Sequence, residues 1–461
     1  MADSQNESDA LIPGAFPGPP GEERQEALPL LSPANPDRPI AFHKGAPVFL
    51  AEFQQHVATI AGRLPCGNAM INLCEDRYEF LAAYTAAVSV NHPVLLPSSR
   101  AEQIVTEVEA AHPGAYRVDD ALITAALCGP CPAPRAPLRS VPPDHIVMIG
   151  FTSGSTGQPK SFPKLWRSVT ASTTHNAKAI RNELKIDDSV APWIVATVPP
   201  QHMYGMELSI LLPLIGGMAV HSGRPLFPAD IAQALAEVPR PRVLVSTPVH
   251  LRAIVDSPQE FPATDLIISA TAPLDAALAA AVEARLGGRL LEMFGSTETC
   301  VVANRRAAAE ASWRLYPGVE LQPLPDGTMV NAPWFATPTL LQDVVELQGD
   351  GRFIVRGRNT DLIEVAGKRA SLADLTRRLL AIDGVKDAIV FQPEAETVAT
   401  IRRVAALAVA PGLSARQILD RLAPSIDAAF MPRPLVIVDT LPRNELGKLP
   451  RENLMRALRR S

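Results

Sequence analysis

Residues 152–160 read Thr152-Ser153-Gly154-Ser155-Thr156-Gly157-Gln158-Pro159-Lys160 and follow directly on the apolar run Ile146-Val147-Met148-Ile149. Hydroxyls, glycines and a lysine packed this closely behind a predicted strand make a loop whose N–H groups, hydroxyls and ammonium can wrap a polyphosphate. The nucleoside-triphosphatase pattern GxxxxGK[ST] is not met, because Gln158 and Pro159 separate Gly157 from Lys160. Gly154-Ser-Thr-Gly157 also lacks the Gly-x-Ser-x-Gly spacing of a serine nucleophile. A plain Ser/Thr/Gly linker is the other reading that the segment leaves open by itself.

Around this loop, short β-rich runs recur at 69–73, 193–198, 218–220, 242–245 and 265–268. Apolar residues take helical spacing over 49–61 and 79–87, and alanine-rich helical patterns occupy 231–237 and 275–286. Strands alternating with helices predict an α/β fold with parallel sheet flanked by helices, filling a large domain over 39–356. The texture changes after Asp350. Residues 353–365 read as a hairpin through a polar turn, followed by a helix (372–382), a strand (388–391), a helix (414–422) and a strand (434–438). This predicts a small α+β domain over 362–461, joined to the large one through 357–361. Residues 1–38 hold Pro13, Pro17, Pro19, Pro20, Pro29, Pro33 and Pro36 among Gly, Glu and Asn, which predicts an extended, disordered tail.

Hydrophobic residues at 47% and charged residues at 20% of 461 allow a large buried core. A net charge of −5 gives no overall footprint for nucleic acid or an anionic membrane. That balance is uneven: residues 359–461 carry 16 basic and 12 acidic side chains, a net +4, which leaves −9 on the rest. A basic small domain is either a docking face for an anionic partner or an ordinary solvated surface. Five cysteines, with only Cys128-Gly-Pro-Cys131 closely spaced, point to a reducing compartment and a proline-stiffened loop rather than a disulfide framework. The polar, acidic first ten residues are not a signal peptide. The apolar run 208–220 is broken by Pro213, Gly216 and Gly217 and is too short to span a bilayer, so the expectation is a cytoplasmic protein.

The loop resembles the [ST]SG[ST]TGxPK signature of the adenylate-forming enzymes, the superfamily of acyl-CoA synthetases, adenylation domains and luciferases. Further motifs similar to that family's appear in order. Pro200-Gln-His202-Met203-Tyr204-Gly205 resembles the acyl-pocket motif, and Ser269-Ala-Thr271-Ala272-Pro273-Leu resembles the nucleotide-contacting segment. Phe294-Gly295-Ser296-Thr297-Glu298 is similar to Tyr-Gly-x-Thr-Glu; Gly357-Arg358 with Thr360-Asp361 resembles the hinge, and Gly447-Lys448 the catalytic-lysine motif.

The resemblance implies that residues 152–157, Lys160, Thr271, Ala272, Pro273, Phe294, Gly295 and Ser296 contact ATP. Asp343 would take the ribose hydroxyls with Arg358 as neighbour, Thr297 would meet phosphate, and Glu298 would hold Mg2+. Lys448 and His202 join Thr297 as the catalytic set, Gly367 and Arg369 line the thiol tunnel, and Thr360 or Asp361 is the pivot. The chemistry suits these groups: a carboxylate approaching the α-phosphorus of ATP brings two anions together, so the site must supply positive charge. Glu298 is a hard oxygen ligand of the kind Mg2+ accepts. Three positions depart from the pattern. Side-chain-bearing residues replace glycines at 269–272, Thr360 stands where Asp or Lys is common, and Asp374 replaces a glutamate.

Where amino-acid adenylation domains place an aspartate for the substrate ammonium, this chain has His202, which offers no full negative charge. The other predicted pocket walls are Trp193, Met203, Tyr204, Met206, Thr271 and Cys300, flat and polarisable groups suited to an aryl or medium acyl acid. The chain also looks similar to compact ligases of aryl-polyene pathways. The implied activity is ATP-dependent formation of an acyl-adenylate, then transfer to the thiol of coenzyme A or of an acyl carrier protein. The alternatives are a non-catalytic adenylate-binding protein and an amino-acid adenylation domain.

Overall fold

The computed structural model describes residues 26–32, 35, 37–128, 138, 140–152, 160–324, 327–358, 362–365, 368–393, 404–444, 447 and 449–459. Strand Ile146–Thr152 pairs antiparallel with Lys160–Leu165, placing Thr152 opposite Lys160. This hairpin closes one edge of a five-stranded sheet ordered Ala115–Val118, Ala69–Asn72, Val94–Leu96, Ile146–Thr152, Lys160–Leu165, in which the first four strands run parallel.

A second sheet has eleven strands. Its centre is parallel, in the order Arg289–Ser296, Leu266–Ser269, Arg242–Ser246, Trp193–Ala196, Ala219–His221, Pro39–His43. Antiparallel strands cover both flanks: Ala46–Phe49 on one, and Cys300–Arg305, Trp313–Leu315, Arg352–Arg358 and Asp343–Gln348 on the other. The central strands are continuous apolar runs such as Val243-Leu244-Val245, as expected where both faces are buried. Ile194, Val243, Val245 and Ile268 face the core shared with the smaller sheet, whereas Trp193, Val195, Leu244 and Ile267 face helices Pro228–Glu237, Pro248–Asp256 and Ala276–Leu286.

Helix Arg77–Ser89 packs against strands of both sheets and is buried from Arg77 to Val88, so no polar face survives. Asp76 caps it, accepting from the amides of Tyr78 and Glu79 at 2.9 and 3.0 Å. The smaller C-terminal unit packs helices Leu372–Leu380 and Ala415–Leu422 on a sheet of Asp387–Phe391, Ala405–Val409 and Leu435–Ile437, around Leu379, Val390, Ile418 and Leu422. Among the described residues, no helix is long and apolar enough to cross a membrane.

Two expectations change. Residues 353–365 are not one hairpin: Arg352–Arg358 completes the large sheet beside Asp343–Gln348, and Leu362–Val365 pairs with Lys368–Ser371. The reason is burial, because Phe353 is fully enclosed against Trp313 and Val345, and the large unit therefore reaches Arg358. The described residues between 28 and 38 are also not a disordered tail. Leu28 exchanges backbone hydrogen bonds with Val141, Leu30 is buried, and Arg38 donates to the carbonyls of Met218 and Pro213 at 3.0 and 2.8 Å. The leucines 28, 30 and 31 supply the apolar surface that offsets the ordering entropy.

Candidate active site

Open parallel sheets bind ligands beyond the carboxyl ends of their strands. Here Trp193–Ala196, Arg242–Ser246, Leu266–Ser269 and Arg289–Ser296 run in one direction, and the segments at 197–206, 247–249, 270–274 and 294–298 lie at those ends. The phosphate-loop strand reaches the same place. A Cβ at Gly150 would lie 3.1 Å from Cγ2 of Thr297 and 3.3 Å from Cε of Met203. The loop strand, the acyl-pocket motif and the glutamate motif therefore converge.

His202 caps the short helix Met203–Met206 in extended backbone, and its carbonyl accepts from the Met206 amide at 2.8 Å. Gly205 passes so close to Pro199 that a Cβ would stand 2.1 Å from the Pro199 carbonyl oxygen. Tyr204 shares its hydroxyl proton between the carbonyls of Ser246 and Ile268 at 3.0 and 3.1 Å, tying the motif to two strand ends. Burial raises that phenol far above its ordinary pKa, so it stays neutral. Met203, Tyr204, Met206 and Cys300 share one core. Trp193 does not join them: it opens its strand at the amino end, and strand parity turns it to the opposite face against Phe42.

Two buried charges that the motifs do not contain hold this region. Arg77 donates to Ser209 Oγ at 2.5 Å and to the carbonyls of Ala196 and Val198 at 2.9 and 2.8 Å, so it fixes the chain entering the His202 motif. Burial first, then Arg224, lowers its pKa to about 9, with Asp76 opposing. Glu207 opens the π-helical segment Glu207–Leu211, and its Oε2 accepts from Ser172 Oγ at 2.7 Å and the Val301 amide at 3.0 Å. Its carboxyl is shifted upward by burial, which outweighs those bonds and Lys164. Beside it Cys300 takes φ +60, and burial followed by Glu207 pushes its thiol up to about 12, making it a packing group. One signal could have found Glu207, since it is the lone charge within residues 203–220.

On the nucleotide side, Ser296 Oγ accepts from the amides of Glu298 and Thr299 at 3.1 and 3.2 Å, closing a turn that Lys164 reinforces by donating to the Glu298 carbonyl at 2.5 Å. Among the described residues, no hydrogen bond or ion pair occupies the Glu298 carboxylate. Phe294 packs in an aromatic cluster with Trp313 and Phe353, ring centroids 5.3 and 5.4 Å away. Thr271 adopts φ +79, the backbone form that glycine takes freely, and its buried hydroxyl finds no hydrogen-bond partner among the described residues. Ala272 and Pro273 follow it into the same loop. Asp343 lies directly opposite Arg358 in the strand register.

The small unit meets this rim through Gly447, whose Cβ position is 2.9 Å from Val249 Cγ2 and 3.9 Å from Thr247 Oγ1. Ser153, Gly154, Ser155, Thr156, Gly157, Thr360, Asp361, Gly367 and Lys448 lie outside the described residues, and Thr152, Arg358 and Arg369 are described by backbone pairing only.

A family model described as AMP-binding enzyme matches residues 68–330. The chain is 29% identical to a 4-coumarate–CoA ligase of Halorhodospira halophila over 305 residues, which cover 65% of this chain and 73% of that protein. It is 25% identical to an indoleacetate–CoA ligase of Aromatoleum aromaticum over 370 residues, 71% of this chain and 70% of that one. Among solved structures, ATP-bound MatB from Rhodopseudomonas palustris superposes with a TM-score of 0.75 at 19% identity, covering 92% of this chain and 96% of that one. The anthranilate CoA ligase AuaEII with anthranoyl-AMP gives 0.75 at 15% identity, with 94% and 98% covered. These superpositions show the fold, and the family match spans more than half the sequence: the chain belongs to the AMP-binding enzyme family, whose members form adenylates.

Proposed function

We propose that this protein activates an aryl carboxylic acid with ATP and passes the acyl group to the thiol of coenzyme A. In the first half-reaction a carboxylate oxygen bonds to the α-phosphorus, the bond from that phosphorus to the bridging oxygen breaks, and pyrophosphate leaves with the electron pair. In the second, the thiol sulfur attacks the acyl carbon, AMP departs, and the thiol proton goes to solvent. Lys160 and Lys448 supply positive charge against the anionic approach, Thr297 meets phosphate, and Asp343 with Arg358 takes the ribose. The Glu298 carboxylate, which accepts no hydrogen bond or ion pair among the described residues beside the Ser296 turn, is a hard oxygen donor that fits Mg2+, and a cation held there would supply further charge neutralisation.

One observation carries the reading: a Cβ at Gly150 would lie 3.1 Å from Thr297 and 3.3 Å from Met203, so the strand leading into the phosphate-loop motif approaches the glutamate motif and the acyl-pocket motif at the carboxyl rim. Read as walls of the acyl site, the soft, flat groups Met203, Tyr204 and Met206 favour an aryl acid, and the relatives named for 4-coumarate and indoleacetate carry such acids in their names. A screen of pyrophosphate exchange into ATP over aryl, fatty and α-amino acids tests it. The expected top substrate is an aryl acid; exchange with none, or best with an α-amino acid, overturns it. The best acid is then offered with coenzyme A and with a phosphopantetheinylated carrier protein. The basic charge of residues 359–461 suits either anionic donor, and thioester on the carrier alone would reassign the acceptor.

A further inference from the structure

The loop that presents the catalytic-lysine position is held from one side by a single arginine. Arg443 places Nη2 2.9 Å from both carboxylate oxygens of Asp387 and Nε 3.2 Å from Oδ2, while Nη1 donates to the Gly447 carbonyl at 2.9 Å. Asp387 is the first residue of strand Asp387–Phe391, and its Oδ1 also accepts from the Ala388 amide at 2.9 Å, so the carboxylate is anchored to the sheet. The turn is closed from within as well, by the Gly447 amide donating to the Asn444 carbonyl at 2.8 Å. Gly447 sits at φ +74 and touches the wall formed by Val249 and Thr247. The chain thus runs from a rigid strand through one planar guanidinium to the peptide that joins Gly447 to residue 448.

We propose that Arg443 and Asp387 are positioning residues for adenylation, fixing the Gly447–Lys448 peptide so that the Lys448 ammonium enters the site in one orientation. The proposal rests on the reading of Lys448 as the catalytic lysine. Only a guanidinium satisfies the geometry, because it must present donors in one plane to a carboxylate and to a carbonyl at once; an ammonium offers a point charge without that fork. Both partners of the ion pair are about one-quarter exposed, so the pair itself contributes little to global stability. Its effect should appear in rate, where small displacements of a reacting group are costly.

The test compares Arg443→Ala, Arg443→Lys, Asp387→Ala and Lys448→Ala as full-length proteins, using the acid that exchanges best. Arg443→Ala is expected to lower kcat for pyrophosphate exchange roughly 10- to 100-fold with KM for ATP and acid within threefold. The rate of acyl transfer from chemically prepared acyl-adenylate to coenzyme A should fall at least ten times less than the exchange rate. Arg443→Lys should recover only part of the loss, and Asp387→Ala combined with Arg443→Ala should be less than additive. Melting temperatures are measured alongside. Parental exchange in Arg443→Ala, or equal loss in both half-reactions, overturns the positioning role. Parental exchange in Lys448→Ala overturns the reading of the lysine and the proposal with it, so the two failures are distinguished.

Discussion

The Glu207 carboxylate accepts a hydrogen bond from the Val301 amide at 3.0 Å, joining the acyl-pocket helix to the strand that leaves the Glu298 turn. Ser172 adds a second bond to the same oxygen at 2.7 Å. Replacing Glu207 by alanine strands a buried amide and should cost about 2–4 kcal/mol, read as a lower urea midpoint. Glu207→Gln, which keeps an acceptor oxygen, should cost less. An unchanged midpoint in the alanine variant would show that the bond carries no load.

Glu292 contacts Arg305 at 2.6 Å, yet burial dominates and raises its carboxyl from the usual 4.5 to about 7. Between pH 4.5 and about 7 the folded state keeps a proton that the unfolded chain has released. The contribution of this group to stability is therefore full below 4.5 and declines as pH rises through about 7. Glu292→Gln should remove that part of the slope. Urea midpoints measured across the interval decide the matter, and identical slopes in parent and variant would refute it.

Gly205 leaves no room for a methyl group beside the Pro199 carbonyl. Gly205→Ala must displace the turn that carries His202 and Met203, and we expect a stability loss of about 1–3 kcal/mol together with lower pyrophosphate exchange. Wild-type exchange in a folded Gly205→Ala protein would detach this turn from the acyl site.

Asp343 stands opposite Arg358 at the end of the large sheet. If it holds the ribose, Asp343→Ala should raise KM for ATP about 10-fold or more while KM for the acid barely changes, the size of loss typical of hydrogen bonds to a charged group. Equal shifts in both constants would argue against a nucleotide role.

Much of this architecture was legible because periodicity and burial agree. The strands at 242–246 and 266–269 carry the unbroken apolar runs 243–245 and 266–268, and the motif order carried the family. Other features needed three-dimensional contacts. Trp193 reads as a pocket aromatic, but only the pairing of its strand shows that Ile194, not Trp193, faces the shared core. Residues 353–365 alternate like a hairpin, and nothing local reveals that Phe353 pairs with Trp313 across a distant strand. Arg77 looks like a surface charge at a helix start, because its partners, the carbonyls of Ala196 and Val198, lie more than a hundred residues away.

The parallel pairing of Ala41 with Val220 and of Phe42 with His221 sets an order of assembly. Strand Pro39–His43 leaves the ribosome early, but its partner strand Ala219–His221 is made far later, and Arg38 must also await the carbonyls of Pro213 and Met218. Ile40, fully enclosed in the finished protein, is thus bare on the nascent chain for most of the synthesis of the large unit. Strand Pro39–His43 cannot take its place beside Ala219–His221 until that segment is made, and a chaperone that shields it should raise the yield of folded protein more than one that acts after release.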